Sequence, residues 1–212
     1  VAAFCYNTSS RNAKGGRAVD NVLTIAEERL NLFAHMANSA CGLSLWCFGM
    51  KKQLYTCTCP AEKEFRLFLD LGQCLDYAIA HGPESHAPIL MSDPIGMLWV
   101  AECVWHGDDA SYLVILGPVF DAAASLQTLQ NCLRGMNLSV SLTATIMEKL
   151  EQVPILPLST LHQYIKMLHW VLYEETLDVG SIRLQNRSNI IPDKEESPSP
   201  WDPDRARVVE AQ

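Results

Sequence analysis

The sequence lacks a long apolar run. A membrane-spanning helix needs about 18 or more consecutive apolar residues, and no stretch of this chain approaches that length. The first residues, "VAAFCYNTSSRNAKGG", also lack the apolar core of a secretory signal peptide. These two absences predict a cytoplasmic protein that does not contact a membrane.

Positive charge is also scarce. The 212 residues include 16 Lys and Arg against 24 Asp and Glu, which gives a net charge of -8. Because an acidic chain repels phosphate backbones, we expect no direct contact between these residues and nucleic acid. The first residue is Val1 rather than Met, which indicates a processed or trimmed product.

Motifs of nucleotide and hydrolase chemistry are missing. The segments "GGR" (15–17) and "LGP" (116–118) do not match a phosphate-binding loop, and no G-x-S-x-G elbow occurs. We therefore predict that the protein is not an enzyme and has no cofactor. The six histidines include His162 and His169, seven positions apart, which is too far for an i, i+4 zinc pair. Structural or surface roles are favoured for them, and no metal site is predicted.

The eight cysteines leave one chemical alternative open. They are scattered through apolar segments, which predicts reduced, buried thiols rather than disulfides. The segment "CTC" (57–59) places two thiols on one face of a predicted strand, which would permit metal or redox chemistry. A pair of small core residues is the favoured interpretation, and a small enzyme or redox protein that uses Cys57, Cys59 or Cys103 is the alternative.

Hydrophobic periodicity predicts helices and strands in a definite order. Helix, two strands, helix, three strands and further helices follow one another, which resembles PAS and GAF sensor domains. The predicted fold is therefore α+β, with a PAS/GAF-like single antiparallel five-stranded sheet flanked by helices. The predicted strands are 41–48, 53–59, 87–93, 96–106 and 111–120, and the predicted helices are 21–38, 60–80, 121–135, 141–152 and 159–178.

The fourth and fifth strands are apolar on both faces, so both faces should be covered by helices. Glu102 is the exception on its face. We favour a position in which its side chain is exposed, or hydrogen-bonded at an edge, over a role as a buried ligand anchor. Apolar, aromatic surfaces with a few polar groups are typical of ligand pockets. The candidate ligand-binding residues are Trp46, Tyr55, Trp99, Glu102, Cys103, Trp105 and Tyr112.

The last long helix is apolar over more than one face. One stripe consists of Leu161, Ile165, Leu168 and Leu172, and further apolar residues lie beside it. Since one stripe suffices for packing on the sheet, the extra width predicts a homodimer through helix 21–38, this helix, or both. The candidate interface residues are Leu168, Trp170 and Val171.

Three segments resemble the N-terminal sensory region of AraC-type transcriptional regulators from anaerobic gut bacteria. These are "DPIGMLWVAEC", "YLVILGPVF" and "VPILPLSTLHQYIKMLHWVLYEE". In that family, similar "GxxW", "LGPVF" and "MLHW"-like segments precede a helix-turn-helix DNA-binding domain. The resemblance covers about residues 20–212 and implies a sensor region for an unidentified small-molecule effector, with DNA bound only through a C-terminal domain missing from this chain.

The predicted domain organisation follows from this resemblance and from composition. Residues 1–19 are predicted to be a flexible arm, 20–185 the sensor domain, and 186–212 a linker toward the helix-turn-helix domain. Four prolines in 191–204 favour the linker. The predicted function is small-molecule sensing and dimerisation in a transcription regulator, and the alternative is a purely structural dimerisation module without a ligand.

Overall fold

The structure is a computed structural model that describes residues 17–106, 109–122, 126–136 and 138–185. These residues form an α+β fold with a single sheet, as predicted. The first helix begins at Arg17, so it includes the last residues of the predicted arm. The predictions for 1–16 and 186–212 lie outside the described residues.

Helices and strands follow the predicted order along the chain. The helices are α1 (Arg17–Cys41), α2 (Glu62–Leu71), α3 (Cys74–His81), α4 (Leu126–Gly135), α5 (Val140–Leu150) and α6 (Leu158–Tyr173). The strands are β1 (Leu45–Gly49), β2 (Leu54–Cys57), β3 (Ile89–Ser92), β4 (Leu98–His106), β5 (Asp109–Val119) and β6 (Arg183–Leu184).

The sheet has six strands in the order β2-β1-β5-β4-β3-β6, so the predicted antiparallel sheet of five strands is wrong in number and type. The five predicted strands are present and pair antiparallel with one another. The sheet is mixed because β6 pairs parallel to β3. The sixth strand has only two residues, which is too short for an alternating pattern to reveal it.

Backbone hydrogen bonds from the first residue of β6 and from the residue that follows it hold this strand against β3. The N–H of Arg183 donates to the Pro88 carbonyl at 2.9 Å, and the N–H of Gln185 donates to the Leu90 carbonyl at 3.0 Å. Long-range pairing of this kind depends on where the chain returns after α6, and local sequence patterns do not contain that information.

The single helix predicted after Pro60 is two helices, α2 and α3. They are separated at Gly72 and Gln73, and Gln73 has the left-handed backbone conformation with φ 51°. A side chain at position 72 would place its Cβ 3.1 Å from the Cβ of Asp93. The absence of a side chain at Gly72 therefore lets the chain pass close to the end of β3.

Helices cover both faces of the sheet, as predicted. One face, which we call the aromatic face, carries Trp46, Phe48 and Trp99 and packs against α2, α3, α4 and α5. The other, the aliphatic face, carries Leu45, Val100, Val114 and Leu116 and packs against α1 and α6. The side-chain alternation along β4 and β5 produces the division, because neighbouring residues point to opposite faces.

The last long helix, α6, is shorter than predicted. It ends at Tyr173, and Glu174 follows it with φ 58° while its N–H donates to the Trp170 carbonyl at 2.8 Å. This left-handed residue stops the helix before Gly180, the expected end. Within the described part of the chain, no helix has both the length and the apolar character needed to cross a membrane.

Candidate functional site

The sheet separates the predicted ligand-binding residues instead of bringing them to one pocket. Trp46, Trp99 and Cys103 lie buried on the aromatic face. Tyr112 lies on the aliphatic face, and Tyr55 is 47% exposed on the edge strand β2. Three cavities of about 320, 440 and 620 Å³ in the described part of the chain are lined by residues other than the predicted ligand-binding ones.

Trp46 and Trp99 are part of the core. Their rings meet edge to face with centroids 6.0 Å apart, and both side chains are fully buried. The indole N–H of Trp46 donates to the Gly117 carbonyl at 2.8 Å, and that of Trp99 donates to Oδ2 of Asp93 at 3.1 Å. Since both polar atoms have protein partners, these tryptophans offer no free donor to a ligand.

Asp93 organises the turn between β3 and β4. Its Oδ1 accepts hydrogen bonds from the backbone N–H groups of Ile95 and Met97, each at 3.0 Å. Burial raises the pKa of this carboxyl to about 7, although the hydrogen bonds from Trp99 and the backbone lower it. The carboxyl therefore has a structural role, namely to satisfy donors that the tight turn leaves inside the protein.

Glu102 is buried in the central strand β4, so the favoured interpretation of an exposed or edge position is wrong. Only 1% of the residue is exposed, and its carboxylate contacts Nδ1 of His169 on α6. Burial raises the pKa of Glu102, while the hydrogen bond and the charge of His169 lower it. The physical reason for its burial is this partner, which compensates part of the desolvation cost.

His169 is an inward residue of α6. It follows Leu161, Ile165 and Leu168 on the helix face that packs against the sheet, and it is 4% exposed. A structural role was among the favoured interpretations of this histidine. Its pairing with Glu102 was missed, because the two residues are 67 positions apart and only the packing of α6 on β4 joins them.

A second polar contact joins α6 to β4. The hydroxyl of Tyr173 donates to the backbone carbonyl of Cys103. Strand β3 pairs with β4 only as far as Ala101, so this carbonyl lies past the end of β3. Burial, with the nearby charge of Glu102, raises the pKa of Tyr173. The tyrosine thus provides a donor to a strand carbonyl at a position that β3 does not reach.

Aromatic rings continue this cluster toward the surface. Trp105 stacks on His86 with centroids 5.0 Å apart and an interplanar angle of 1°, and the His86 ring lies 5.0 Å from that of Tyr173. Two buried polar atoms, Oε2 of Glu102 and Nε1 of Trp105, have no hydrogen-bond partner among the residues described. We call Glu102, His169, Tyr173, Trp105 and His86 the β4/α6 cluster.

The β4/α6 cluster anchors a helix, and its groups can also bind or move a proton. A carboxylate and an imidazole in contact can exchange a proton, and an unpartnered carboxylate oxygen can accept a hydrogen bond from a small polar molecule. The described residues contain no group of three or more His, Cys, Asp or Glu side chains that could hold a metal ion.

An apolar groove lies between α1 and α6 on the side that faces away from the sheet. Its volume is about 440 Å³. We call it the α1/α6 groove, and its lining consists of Arg29, Leu32, Phe33, Met36, Gln163, Lys166, Met167, Trp170 and Val171.

Large apolar side chains of the groove are exposed to solvent. Leu32 is 62% exposed, Met36 46%, Met167 40% and Trp170 51%. Because all four line one groove, they form a continuous exposed apolar surface, and such surfaces often mark interaction sites.

The predicted interface residues do not all reach this surface. Trp170 and Val171 line the groove, whereas Leu168 is fully buried between α6 and the sheet. Sequence reasoning missed Leu32 and Met36, although their i, i+4 spacing on α1 outside the buried stripe was a usable signal.

Comparisons with known proteins do not identify the chain. No protein-family model matches it, and neither the curated proteins nor the solved structures include a match.

Proposed function

We propose that this chain is a homodimerising sensor domain of a cytoplasmic transcription regulator, with a fold of the PAS/GAF kind. The attached DNA-binding domain is the one that the resemblance to AraC-type regulators implies. Such regulators bind paired half-sites, so a dimeric sensor domain would hold two DNA-reading domains at a defined spacing. The observation that supports dimerisation is the exposed apolar α1/α6 groove.

A second copy of the chain is the occupant that fits the groove best. Trp170 projects at the groove and is half exposed, while the groove itself has a volume of about 440 Å³. In a twofold arrangement, Trp170 of each copy would enter the groove of the other, and both apolar surfaces would be buried at once. Burying a large aromatic side chain in a partner's pocket is the usual source of binding energy in such interfaces.

The second part of the proposal is effector binding, which one observation favours. Glu102 Oε2 is buried without a partner among the described residues, and the same carboxylate contacts His169 on α6. A small polar effector would supply the missing donor and would act on α6 through His169 and Tyr173. A purely structural dimerisation module without an effector is the alternative, and the packed tryptophans of the sheet favour it over a pocket on the aromatic face.

Sedimentation of a charged variant tests dimerisation. We expect the wild-type chain to sediment as a dimer at micromolar concentration, and Trp170→Glu to raise the dissociation constant at least ~30-fold, since it removes an apolar anchor and buries a charge. The matched control is Val140→Glu, which introduces the same charge at a residue 88% exposed on α5. A wild-type monomer, or equal weakening by both variants, contradicts the proposal.

Mass spectrometry tests the effector. A sensor should retain a small molecule when purified under native conditions, and Glu102→Gln should release it while leaving the dimer intact. Retention that does not change in Glu102→Gln contradicts binding at the β4/α6 cluster. If no small molecule is retained, and no added small molecule raises the melting temperature, the purely structural module is favoured.

A further inference from the structure

A cavity of about 620 Å³ lies between α4 and α5. We call it the α4/α5 cavity, and its lining includes Gln130, Leu133 and Arg134 from α4 and Val140, Ala144 and Met147 from α5. The residues from each helix recur at helical spacing, so each helix turns a single face toward the cavity. The volume lies within the range of about 300–1,000 Å³ that is usual for small-molecule sites.

The floor of the α4/α5 cavity is apolar and continues into the core. Leu133 is fully buried, and Leu138 and Met147 are partly buried against the same core cluster. On the α5 face, Ala144 ends at its Cβ, so it cannot fill the space between the two helices. The helices therefore leave an apolar space between them that a ligand can occupy.

The polar groups that remain available in this lining are on α4. Arg134 is the one charged residue of the lining, and Gln130 lies about one turn before it on the same helix face. Neither side chain has an ion-pair or hydrogen-bond partner among the described residues. The hydroxyl of Thr143, which also lines the cavity, donates to the Ser139 carbonyl at 3.0 Å. The donors left for a ligand are therefore a guanidinium and an amide, and a guanidinium pairs best with a planar carboxylate.

A second cavity, of about 320 Å³, adjoins the first. Met147 lines both cavities, so its side chain lies between them. Apart from Glu151, the rest of the second lining is apolar and consists of Phe120, Leu129, Leu150, Val153 and Ile155. Because a methionine side chain is unbranched and flexible, a change of its rotamer can join the two spaces into one elongated site.

We propose that the two cavities together bind an unbranched apolar monocarboxylate. The carboxylate pairs with the Arg134 guanidinium and accepts a hydrogen bond from the Gln130 amide, and the hydrocarbon chain runs past Met147 into the second cavity. Burial of the chain supplies affinity, and Arg134 selects for the charged end. Since Glu151 lines the second cavity, a second carboxylate at the far end of the chain would be repelled.

This site is separate from the α1/α6 groove and from the β4/α6 cluster. Leu133 and Met147 pack on the aromatic side of the sheet, whereas α1 and α6 pack on the aliphatic face. The proposal therefore does not depend on the proposed dimer or its effector, and Trp170→Glu should bind the same ligand with unchanged affinity.

Calorimetric titration with decanoate tests the charged end of the site. We expect one decanoate per chain, and at least ~10-fold weaker binding of decanol, which has no carboxylate, and of sebacate, which has a second one. Arg134→Gln should weaken decanoate binding at least ~10-fold and leave decanol binding unchanged. The matched control is Lys149→Gln, which removes the same charge from α5 at a residue outside both linings and should leave decanoate binding unchanged.

Filling the cavity tests its apolar part. Ala144→Phe should abolish the binding of both decanoate and decanol, since the added ring occupies the space between α4 and α5. Ala144 is exposed, so the variant should keep the helix content seen by circular dichroism and the melting temperature of the wild type.

Decanoate binding that is unchanged in Arg134→Gln, or no saturable binding at millimolar concentration, would overturn the proposal. So would binding that is lost in Lys166→Gln but kept in Arg134→Gln, since Lys166 lines the α1/α6 groove and the carboxylate would then lie there. Equal affinity for decanoate and sebacate would overturn the placement of the chain end beside Glu151.

Discussion

The two faces of the sheet differ in what their helices leave exposed. On the aromatic face, the indoles of Trp46 and Trp99 donate to the Gly117 carbonyl and to Asp93, and their rings pack edge to face in the core. On the aliphatic face, α1 and α6 cover the sheet but carry a second apolar surface outward.

The buried carboxylates show the same difference. Asp93 on the aromatic side serves a local turn, with partners two to six residues away. Glu102 faces α6 and pairs with a residue distant in sequence, and one of its oxygens remains unpartnered in the described structure. We infer that the aromatic face provides stability, whereas the aliphatic face couples the sheet to a helix that can interact with a partner.

The sharpest test of this contrast is His169→Leu. It removes the partner of a buried carboxylate, so we expect a loss of about 3–5 kcal/mol in the free energy of unfolding measured in urea. The double variant Glu102→Leu/His169→Leu should recover most of that loss, because it replaces the pair with apolar groups of similar size. The control, His162→Leu on the same helix, should change stability by less than about 1 kcal/mol. Equal stability of the single and double variants would contradict the coupling.

The pH dependence of stability compares the two carboxylates. Both have a raised pKa in the folded protein, so the folded state binds protons more tightly, and this stabilisation is lost as the pH rises. For Asp93 the loss extends from about pH 4 to about pH 7, and between about pH 5 and 7 it amounts to about 2 kcal/mol.

Urea unfolding at a series of pH values measures the slope of the free energy of unfolding against pH. Asp93→Asn should flatten it, Glu102→Gln should reduce it, and the control Asp121→Asn, at an exposed aspartate, should leave it unchanged. If the slope is unchanged in the variant that lacks both buried carboxylates, these two groups are not the cause of the pH dependence.

The smallest expected effect tests how closely the aromatic face is packed. Gly82→Ala would place a Cβ 2.4 Å from the sulfur of Cys103, so we expect a loss of about 1–2 kcal/mol, seen as a lower melting temperature. Gly135→Ala is the matched control, because no atom lies within 4 Å of its added Cβ. If Gly82→Ala lowers the melting temperature no more than this control does, the aromatic face is less tightly packed than the structure indicates.

Sequence patterns predicted local elements well and their ends less well. The alternation in β4 correctly placed Glu102 and Trp99 on opposite faces, and the hairpin of β4 and β5 was confirmed. The break between α2 and α3 was missed because the reason for it lies at Asp93, which approaches Gly72 only in the folded chain.

The candidate site was harder to predict than the fold. The sequence placed Trp170 on an apolar part of α6 outside the stripe that packs on the sheet. Only the packing of α6 beside α1 showed that Met167, Leu32 and Met36 line the same groove. The "CTC" segment indicated two thiols on one strand, whereas the strand ends at Cys57 and Cys59 lies beyond it.

The sequence by itself determined the class of fold, because periodicity and turn residues act over a few positions and are readable along the chain. It also determined that both faces of β4 are apolar, since alternation assigns each side chain to a face. The tertiary structure alone decided that β6 joins β3, that His169 meets Glu102, and that two helices leave a groove between them. Each of these depends on contacts between residues far apart in sequence, and such contacts form only when the whole chain closes around its core.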